Sequence, residues 1–278
     1  MYATHAQCDN RRNPARRLRC DDRTYRCPVT AAVDRPARTH LGIEVVLVLL
    51  LSLGASAVYA VVSLIAKLTA GPPLSQQTAT LNPSQSPRPY LDLTYQLLGI
   101  FFALVPVLLA LYLLGRSRAA LGTGLRPAFD VGWGFALAAA IGIPGLLLVY
   151  VAAQLGLNAQ IVPAALQPVW WAVPVLILKA VENAVLEEVI VVGYLMTRLR
   201  QMGVQTWMII VCSAVLRGSY HLYQGFGAFV GNAVMGVVFA LFFLRYKRVL
   251  PLIIAHTLLD VVAFVGYTLL PASWLSWL

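Results

Sequence analysis

The residues best suited to chemistry in this 278-residue chain are ionisable and amide side chains that interrupt apolar stretches in its second half. They are Lys179, Glu182, Asn183, Glu187, Glu188, Arg217, His221, Asn232, His256 and Asp260. Six of them are formally charged, and each charge would cost about 2.5–3.5 kcal/mol at the centre of a bilayer on insertion scales. We therefore expect these side chains to pair with one another, bind a metal ion or face water inside the protein.

Helical spacing groups several of these residues. Glu187 and Glu188 are adjacent and can border the same cavity, whereas His256 and Asp260 are separated by one helical turn. An aspartate one turn from a histidine can fix the imidazole tautomer and raise its basicity. We predict that five residues converge on one buried polar cavity from three helices: Glu187, Glu188, His221, His256 and Asp260.

The elements that must position these residues are membrane helices. The chain is 59% hydrophobic and 12% charged, whereas a soluble domain is about half apolar and a quarter charged. A transmembrane helix needs about 20 apolar residues, and seven stretches approach or exceed that length. They cover 43–66, 92–114, 129–153, 169–195, 204–222, 226–244 and 251–270. The composition predicts an all-α polytopic membrane bundle of about seven transmembrane helices over 42–278.

Charge predicts the orientation of this bundle. Residues 1–41 are expected to form a basic, disordered cytoplasmic tail because they contain nine arginines and few large apolar residues. With this tail inside, 17 of the 21 basic residues fall in cytoplasmic segments and only Lys67 and Arg88 fall outside. The distribution follows the positive-inside rule and predicts a multi-pass protein of the cell membrane. We attribute the net charge of +10 to contact with membrane lipids rather than nucleic acid.

Three motifs in the second half resemble those of the CPBP intramembrane proteases, which include the type II CAAX prenyl endopeptidases and bacterial Abi proteins. The stretch Glu187-Glu188-Val-Ile-Val-Val-Gly193 resembles the EExxxRG helix of that family. Arg217-Gly-Ser-Tyr-His221 is similar to its FxxxH motif, and His256-Thr-Leu-Leu-Asp260 is similar to HxxxN/D. The resemblance covers about 165–265, within a protease-like core of about 165–270.

The chain departs from these motifs at two positions. Val192 stands where the family motif has arginine, and Arg217 stands where FxxxH has phenylalanine. A decayed site would not be expected to keep a costly buried arginine, so we interpret the exchange as a positive charge moved from one helix to the next. Helices joined by a short loop pack side by side. This predicts a supporting contact between Arg217 and Glu188 or Glu187.

The resemblance implies that the five converging residues are the catalytic residues of an intramembrane endopeptidase acting on a membrane-associated peptide or protein. A glutamate can act as a base towards water, and Glu187, His221 and His256 could hold a divalent metal such as zinc. In a metal-free alternative, a glutamate and a histidine activate the water while His256 and Asp260 polarise the substrate carbonyl. The formal charges of the six charged residues within the apolar stretches sum to −2, which a divalent cation or two protons would neutralise equally well. Both mechanisms stay open at the level of the sequence.

Two other classes of function are compatible with these residues. Buried acids, histidines and an arginine also form proton relays, so one alternative is a transporter. The other is a regulatory scaffold that keeps a degenerate protease site. A protease would lose peptide cleavage with Glu187→Ala, a transporter would move solute or charge in sealed vesicles, and a scaffold would do neither.

The depths of the site residues raise a geometric question. At about 1.5 Å per residue from the cytoplasmic helix ends, the glutamate pair lies about 18 Å deep, His221 about 25 Å and His256 about 8 Å. Convergence therefore requires either tilted helices or a turn near 223–227 that is sunk into the bundle.

Overall fold

The computed structural model describes residues 38–124, 126–162 and 164–266, and these form the expected all-α bundle. Most of the predicted tail, 1–41, lies outside the described residues, and residues 38–41 belong to the first helix. The α-helices are α1 (Arg38–Leu50), α2 (Leu53–Thr69), α3 (Pro89–Ala103), α4 (Val105–Leu114), α5 (Pro127–Gln154), α6 (Ala172–Glu187), α7 (Met196–Gln201), α8 (Thr206–Ser219), α9 (Phe226–Tyr246) and α10 (Leu250–Val261). Two short strands, β1 (Thr78–Thr80) and β2 (Gln160–Val162), accompany them.

Each of the seven apolar stretches is largely helical over its described residues, residues 267–270 of the last one lying outside them, but the predicted number of seven transmembrane spans is not confirmed. Within the described ranges, three helical segments are long and apolar enough to cross a membrane: Pro89–Ser117, Pro127–Gln154 and Phe226–Tyr246. A bent pair, His40–Leu50 with Leu53–Thr69, would count as a fourth. Two further apolar helices, Thr206–Ser219 and Leu250–Gly266, are shorter.

The first apolar stretch is bent rather than straight. The Ser52 hydroxyl donates a hydrogen bond to the Val48 carbonyl at 2.7 Å. A Cβ on Gly54 would come within 2.7 Å of the Leu49 carbonyl oxygen, so only glycine permits this close approach. Serine bonded back to the preceding turn and a nearby glycine are common causes of a helix kink. The two halves of the stretch consequently meet at 55°.

Three connections meet at one end of the bundle, which we call the strand end: 70–88, 155–171 and 220–225. β1 pairs in parallel with β2, with Ala79 opposite Ile161. The Ala159 amide donates to the Gln224 carbonyl, and the Phe226 amide donates to the Leu157 carbonyl, both at 2.9 Å. These contacts agree with a topology in which successive apolar stretches alternate in direction.

The arginine-rich connections meet at the other end, which we call the arginine end: 115–126, 202–205 and 247–249, with the flanking helix ends. Arg198 Nε lies 2.8 Å from Glu44 Oε1 on α1. Arg248 Nη2 lies 2.6 Å from Asp130 Oδ2 at the start of α5, and this hydrogen bond raises the pKa of the Arg248 guanidinium. The three predicted cytoplasmic loops therefore share one end of the described structure.

Much of the outer surface of the bundle is apolar. Leu108 on α4, Ile143 on α5 and Val234 on α9 are each more than half exposed. An apolar surface of this extent is suited to the acyl chains of a bilayer and not to water. The structure thus supports the membrane location that the composition predicts.

Candidate active site

Three parts of the bundle bring polar side chains to one buried place. α6 ends at Glu187 and continues without a break into a π-helical segment, Glu188–Leu195. A π-turn holds more residues than an α-turn, so successive side chains are separated by a smaller angle. Glu187 and Glu188 can therefore face the same neighbour. α8 with the turn after it supplies the residues from Arg217 to His221, and α10 supplies His256.

The guanidinium of Arg217 joins the two glutamates. Its Nη1 donates to Glu187 Oε2 at 3.1 Å, and its Nη2 lies 2.8 Å from both oxygens of Glu188. The side chain is fully buried, and its guanidinium carbon lies 5.4 Å from the centroid of the Phe239 ring. A buried charge needs hydrogen bonds of this quality to offset its desolvation. The predicted contact is confirmed, and Arg217 bonds to both glutamates rather than one.

α8 and α9 pack closely together where the side chain of Arg217 passes between them, and Gly236 on α9 makes this close packing possible. A Cβ on Gly236 would lie 2.9 Å from Ala214 Cα and 3.3 Å from Arg217 Cδ. The first distance is shorter than packed carbon atoms tolerate. Gly236 therefore allows α9 to approach α8 where the arginine stem passes between them.

His256 on α10 lies against the same carboxylates. Its Nδ1 is 2.7 Å from Glu188 Oε1. Its Nε2 is 3.7 Å from Asp260 Oδ1 and 3.9 Å from Glu187 Oε2. Asn183 on α6 donates its amide to Asp260 Oδ2 at 3.5 Å. The expected His256–Asp260 pair is present, but Glu188 is the closer partner of this histidine.

His221 reaches the cluster from the turn that follows α8. Its Nε2 lies 3.9 Å from Glu187 Oε1. α8 has 14 residues, so it rises about 21 Å and is shorter than the hydrocarbon core of about 30 Å. The turn is held by backbone bonds to 157–159 of the strand end. Of the two explanations for the depth difference, a sunk turn agrees with this short helix.

Two residues of the cluster were missed by the sequence reasoning. The buried Tyr220 hydroxyl donates to Glu187 Oε2 at 2.6 Å. Gln224 places its amide nitrogen 3.1 Å from His221 Nδ1. The position of Tyr220 inside the Arg217–His221 motif was a usable signal for the first. Asn232, which was among the candidate polar residues, instead bonds to the Ala228 carbonyl of its own helix.

Part of the cluster has the donor atoms of a candidate metal site. Among the described residues, Glu187, Glu188 and His256 bring one ligand atom each within 4.8 Å of one another, so by distance alone they could hold a metal. His221, the third ligand expected from the sequence, is not in this group. Both Glu188 oxygens and one Glu187 oxygen already accept hydrogen bonds from Arg217. A divalent cation would have to share these carboxylates with the guanidinium and stand beside its charge, so this arrangement fits a metal poorly.

Comparison with known proteins agrees with the motif resemblance. Residues 168–262 match the family model described as Type II CAAX prenyl endopeptidase Rce1-like. The matched segment contains every residue of the cluster and agrees with the expected extent of about 165–265. No curated protein and no solved structure matches the chain. The segment 168–262 is therefore similar to an Rce1-like domain, which is consistent with a CPBP family intramembrane protease.

Proposed function

We propose that this protein is a metal-independent intramembrane endopeptidase that hydrolyses a peptide bond of a membrane-associated protein or peptide. The family of the Rce1-like domain supports a CAAX-type intramembrane endopeptidase. The observation that carries the finer proposal is the difference between the two oxygens of Glu187. Oε2 accepts hydrogen bonds from Arg217 and Tyr220, whereas Oε1 faces His221 Nε2 across 3.9 Å.

The Glu187–His221 pair is the proposed site of water activation. A separation of 3.9 Å is too long for a direct hydrogen bond and is a distance that one water molecule can bridge. Because Oε2 is already engaged, Oε1 is the oxygen that can take part in proton transfer. The water oxygen attacks the substrate carbonyl carbon while one of its protons passes to the Glu187–His221 pair.

His256 is the proposed donor to the substrate carbonyl. The Nδ1 of His256 is bonded to Glu188. The Nε2 of the same ring faces the side of the cluster that contains Glu187 and Asp260. In its doubly protonated form, the ring donates from Nε2 to the oxygen that becomes negative during attack. When the carbon–nitrogen bond breaks, the proton on the Glu187–His221 pair passes to the leaving nitrogen, which restores the starting state.

Glu188 and Arg217 have a positioning role in this scheme. Both oxygens of Glu188 accept hydrogen bonds from Arg217, and one of them also contacts His256. Glu188 therefore has no free oxygen with which to activate water. Together the two residues fix Glu187 and His256 in their relative positions.

Peptide cleavage by the purified chain in lipid vesicles tests this proposal, with a library of membrane-anchored, fluorophore-quenched peptides as substrates. We expect the wild type to cleave at least one peptide and Glu187→Gln to lose about 10²- to 10⁴-fold in kcat, the usual contribution of a general base. Glu182→Gln is the matched control, because it neutralises another buried glutamate of α6 that the scheme does not use. A folded Glu187→Gln variant with wild-type cleavage would contradict the proposal.

A further inference from the structure

We propose that Gln224 sets the tautomer of His221, so that Nε2 carries the ring proton and Glu187 alone receives the proton of the attacking water. The assignment of the tautomer depends only on the contacts of His221. The assignment of the base rests on the proposed function. Gln224 is thus a positioning residue that acts through His221.

The first observation is the hydrogen bond at Nδ1. The Gln224 side chain is buried, and its amide nitrogen lies 3.1 Å from His221 Nδ1 and 3.0 Å from the Tyr223 hydroxyl. An amide nitrogen can only donate. His221 Nδ1 must therefore accept, and in a neutral imidazole the proton is then on Nε2.

The second observation concerns the opposite side of the ring. Nε2 of His221 is buried without a hydrogen-bond partner among the described residues, and it faces Glu187 Oε1 at 3.9 Å. An N–H group pointing towards a carboxylate is attracted to it, whereas a nitrogen lone pair in the same place is repelled. The charge that faces Nε2 therefore favours the same tautomer as the amide at Nδ1.

The fold holds Gln224 in this orientation from both sides. The backbone carbonyl of Gln224 accepts from the Ala159 backbone amide at 2.9 Å, and the backbone amide of Gln224 donates to the His221 backbone carbonyl at 3.0 Å. The next residue, Gly225, has φ +123, and a Cβ there would come within 2.5 Å of the Leu157 carbonyl oxygen. Only glycine permits this turn. The strand end thus fixes the backbone of the residue that bonds to the histidine.

This tautomer changes the role of His221 in hydrolysis. Its Nε2–H donates to one lone pair of the water molecule and orients it, and the water donates one proton to Glu187 Oε1. As the water oxygen bonds to the carbonyl carbon, that proton moves to Glu187, and it later passes to the leaving nitrogen. His221 remains neutral throughout, so no separated charge forms on this side of the buried site.

Nuclear magnetic resonance of the full chain in detergent micelles tests the tautomer. With all histidines labelled with ¹⁵N, the ring signals of His221 are those that disappear in His221→Asn. We expect an unprotonated Nδ1 and a protonated Nε2 in the wild type. In Gln224→Glu, the carboxylate can only accept, so we expect the proton to move to Nδ1 and kcat to fall at least about tenfold with little change in KM.

Gln205→Glu is the matched control, because it introduces the same carboxylate at an exposed position before α8. It should leave both the His221 signals and kcat unchanged. A protonated Nδ1 in the wild type would overturn the proposal, and this spectrum decides even if Gln224→Glu does not fold. The expected tautomer without any peptide cleavage would support the assignment of Gln224 and overturn the proposed function alone.

Discussion

At the residue scale, the buried guanidinium of Arg217 accounts for the departure of this chain from the motifs it resembles. Arg217 replaces a phenylalanine of the motif on α8, and Val192 replaces the motif arginine in the π-helical segment. The guanidinium bonds to Glu187 and Glu188 across the interface between the two helices. The pair of buried carboxylates requires a cation, and in this chain α8 supplies it.

The first prediction concerns the charge and the shape of this side chain. Arg217→Met leaves two buried carboxylates without their cation, which we expect to cost about 3–5 kcal/mol of unfolding free energy and to abolish cleavage. Arg217→Lys keeps the charge but not the planar guanidinium that reaches both glutamates. Its unfolding free energy should therefore lie between that of Arg217→Met and that of the wild type. Thermal unfolding of the three proteins in the same detergent measures the order. Equal losses of thermal stability in Arg217→Lys and Arg217→Met would show that the positive charge is not what Arg217 contributes.

The second prediction concerns metal removal. Because Arg217 already bonds to three of the four carboxylate oxygens of Glu187 and Glu188 and places a positive charge beside them, we expect dialysis against a strong chelator to leave cleavage and thermal stability unchanged. Elemental analysis of the purified protein should find much less than one divalent ion per chain. Loss of cleavage on chelation with recovery on adding zinc would contradict a metal-independent mechanism.

At the element scale, the contact between α8 and α9 decides whether the site can form. Gly236 lets the backbone of α9 approach α8 beside the stem of Arg217, and Phe239 one turn later covers the guanidinium. α8 itself is short, so the turn that carries His221 lies close to the glutamates. The site therefore depends on helix packing as much as on its own polar residues.

The third prediction follows from this packing. Gly236→Ala places a methyl group within 2.9 Å of Ala214 Cα, and we expect a loss of about 1–3 kcal/mol with reduced cleavage. Gly132→Ala on α5 is the control, because a Cβ there meets no atom within 4 Å. The control should be neutral or stabilised by up to about 1 kcal/mol, as for glycine to alanine in a helix. Thermal unfolding measures the stability of both variants. Similar melting temperatures for Gly236→Ala and Gly132→Ala would contradict the close contact between Gly236 and Ala214.

At the scale of the whole molecule, the two ends of the bundle differ in charge and in structure. The strand end joins its connections by the short β1–β2 pair and backbone hydrogen bonds, whereas ion pairs of arginines with Glu44 and Asp130 link the parts of the arginine end. The positive-inside rule assigns the arginine end to the cytoplasm. This orientation is a prediction from the distribution of charge along the sequence.

The fourth prediction tests the orientation by cysteine labelling in intact cells. On a background in which the four native cysteines are replaced by serine, Gln76→Cys reports the strand end and Thr123→Cys reports the arginine end, both at exposed positions. A membrane-impermeant maleimide should label Gln76→Cys directly and Thr123→Cys only after permeabilisation. The reverse pattern would mean that the arginine end faces outward.

The sequence alone was sufficient to predict an all-α membrane bundle, the helical stretches and the partners of Arg217. These features follow from local apolar composition and from the cost of an unpaired charge, which do not depend on detailed packing. Tertiary structure alone decided the π-helical segment from Glu188 and the bonds of Tyr220 and Gln224. Each of these depends on which helices touch and at what distance, because a helix turn or a side-chain donor takes its final geometry from the neighbour against which it packs.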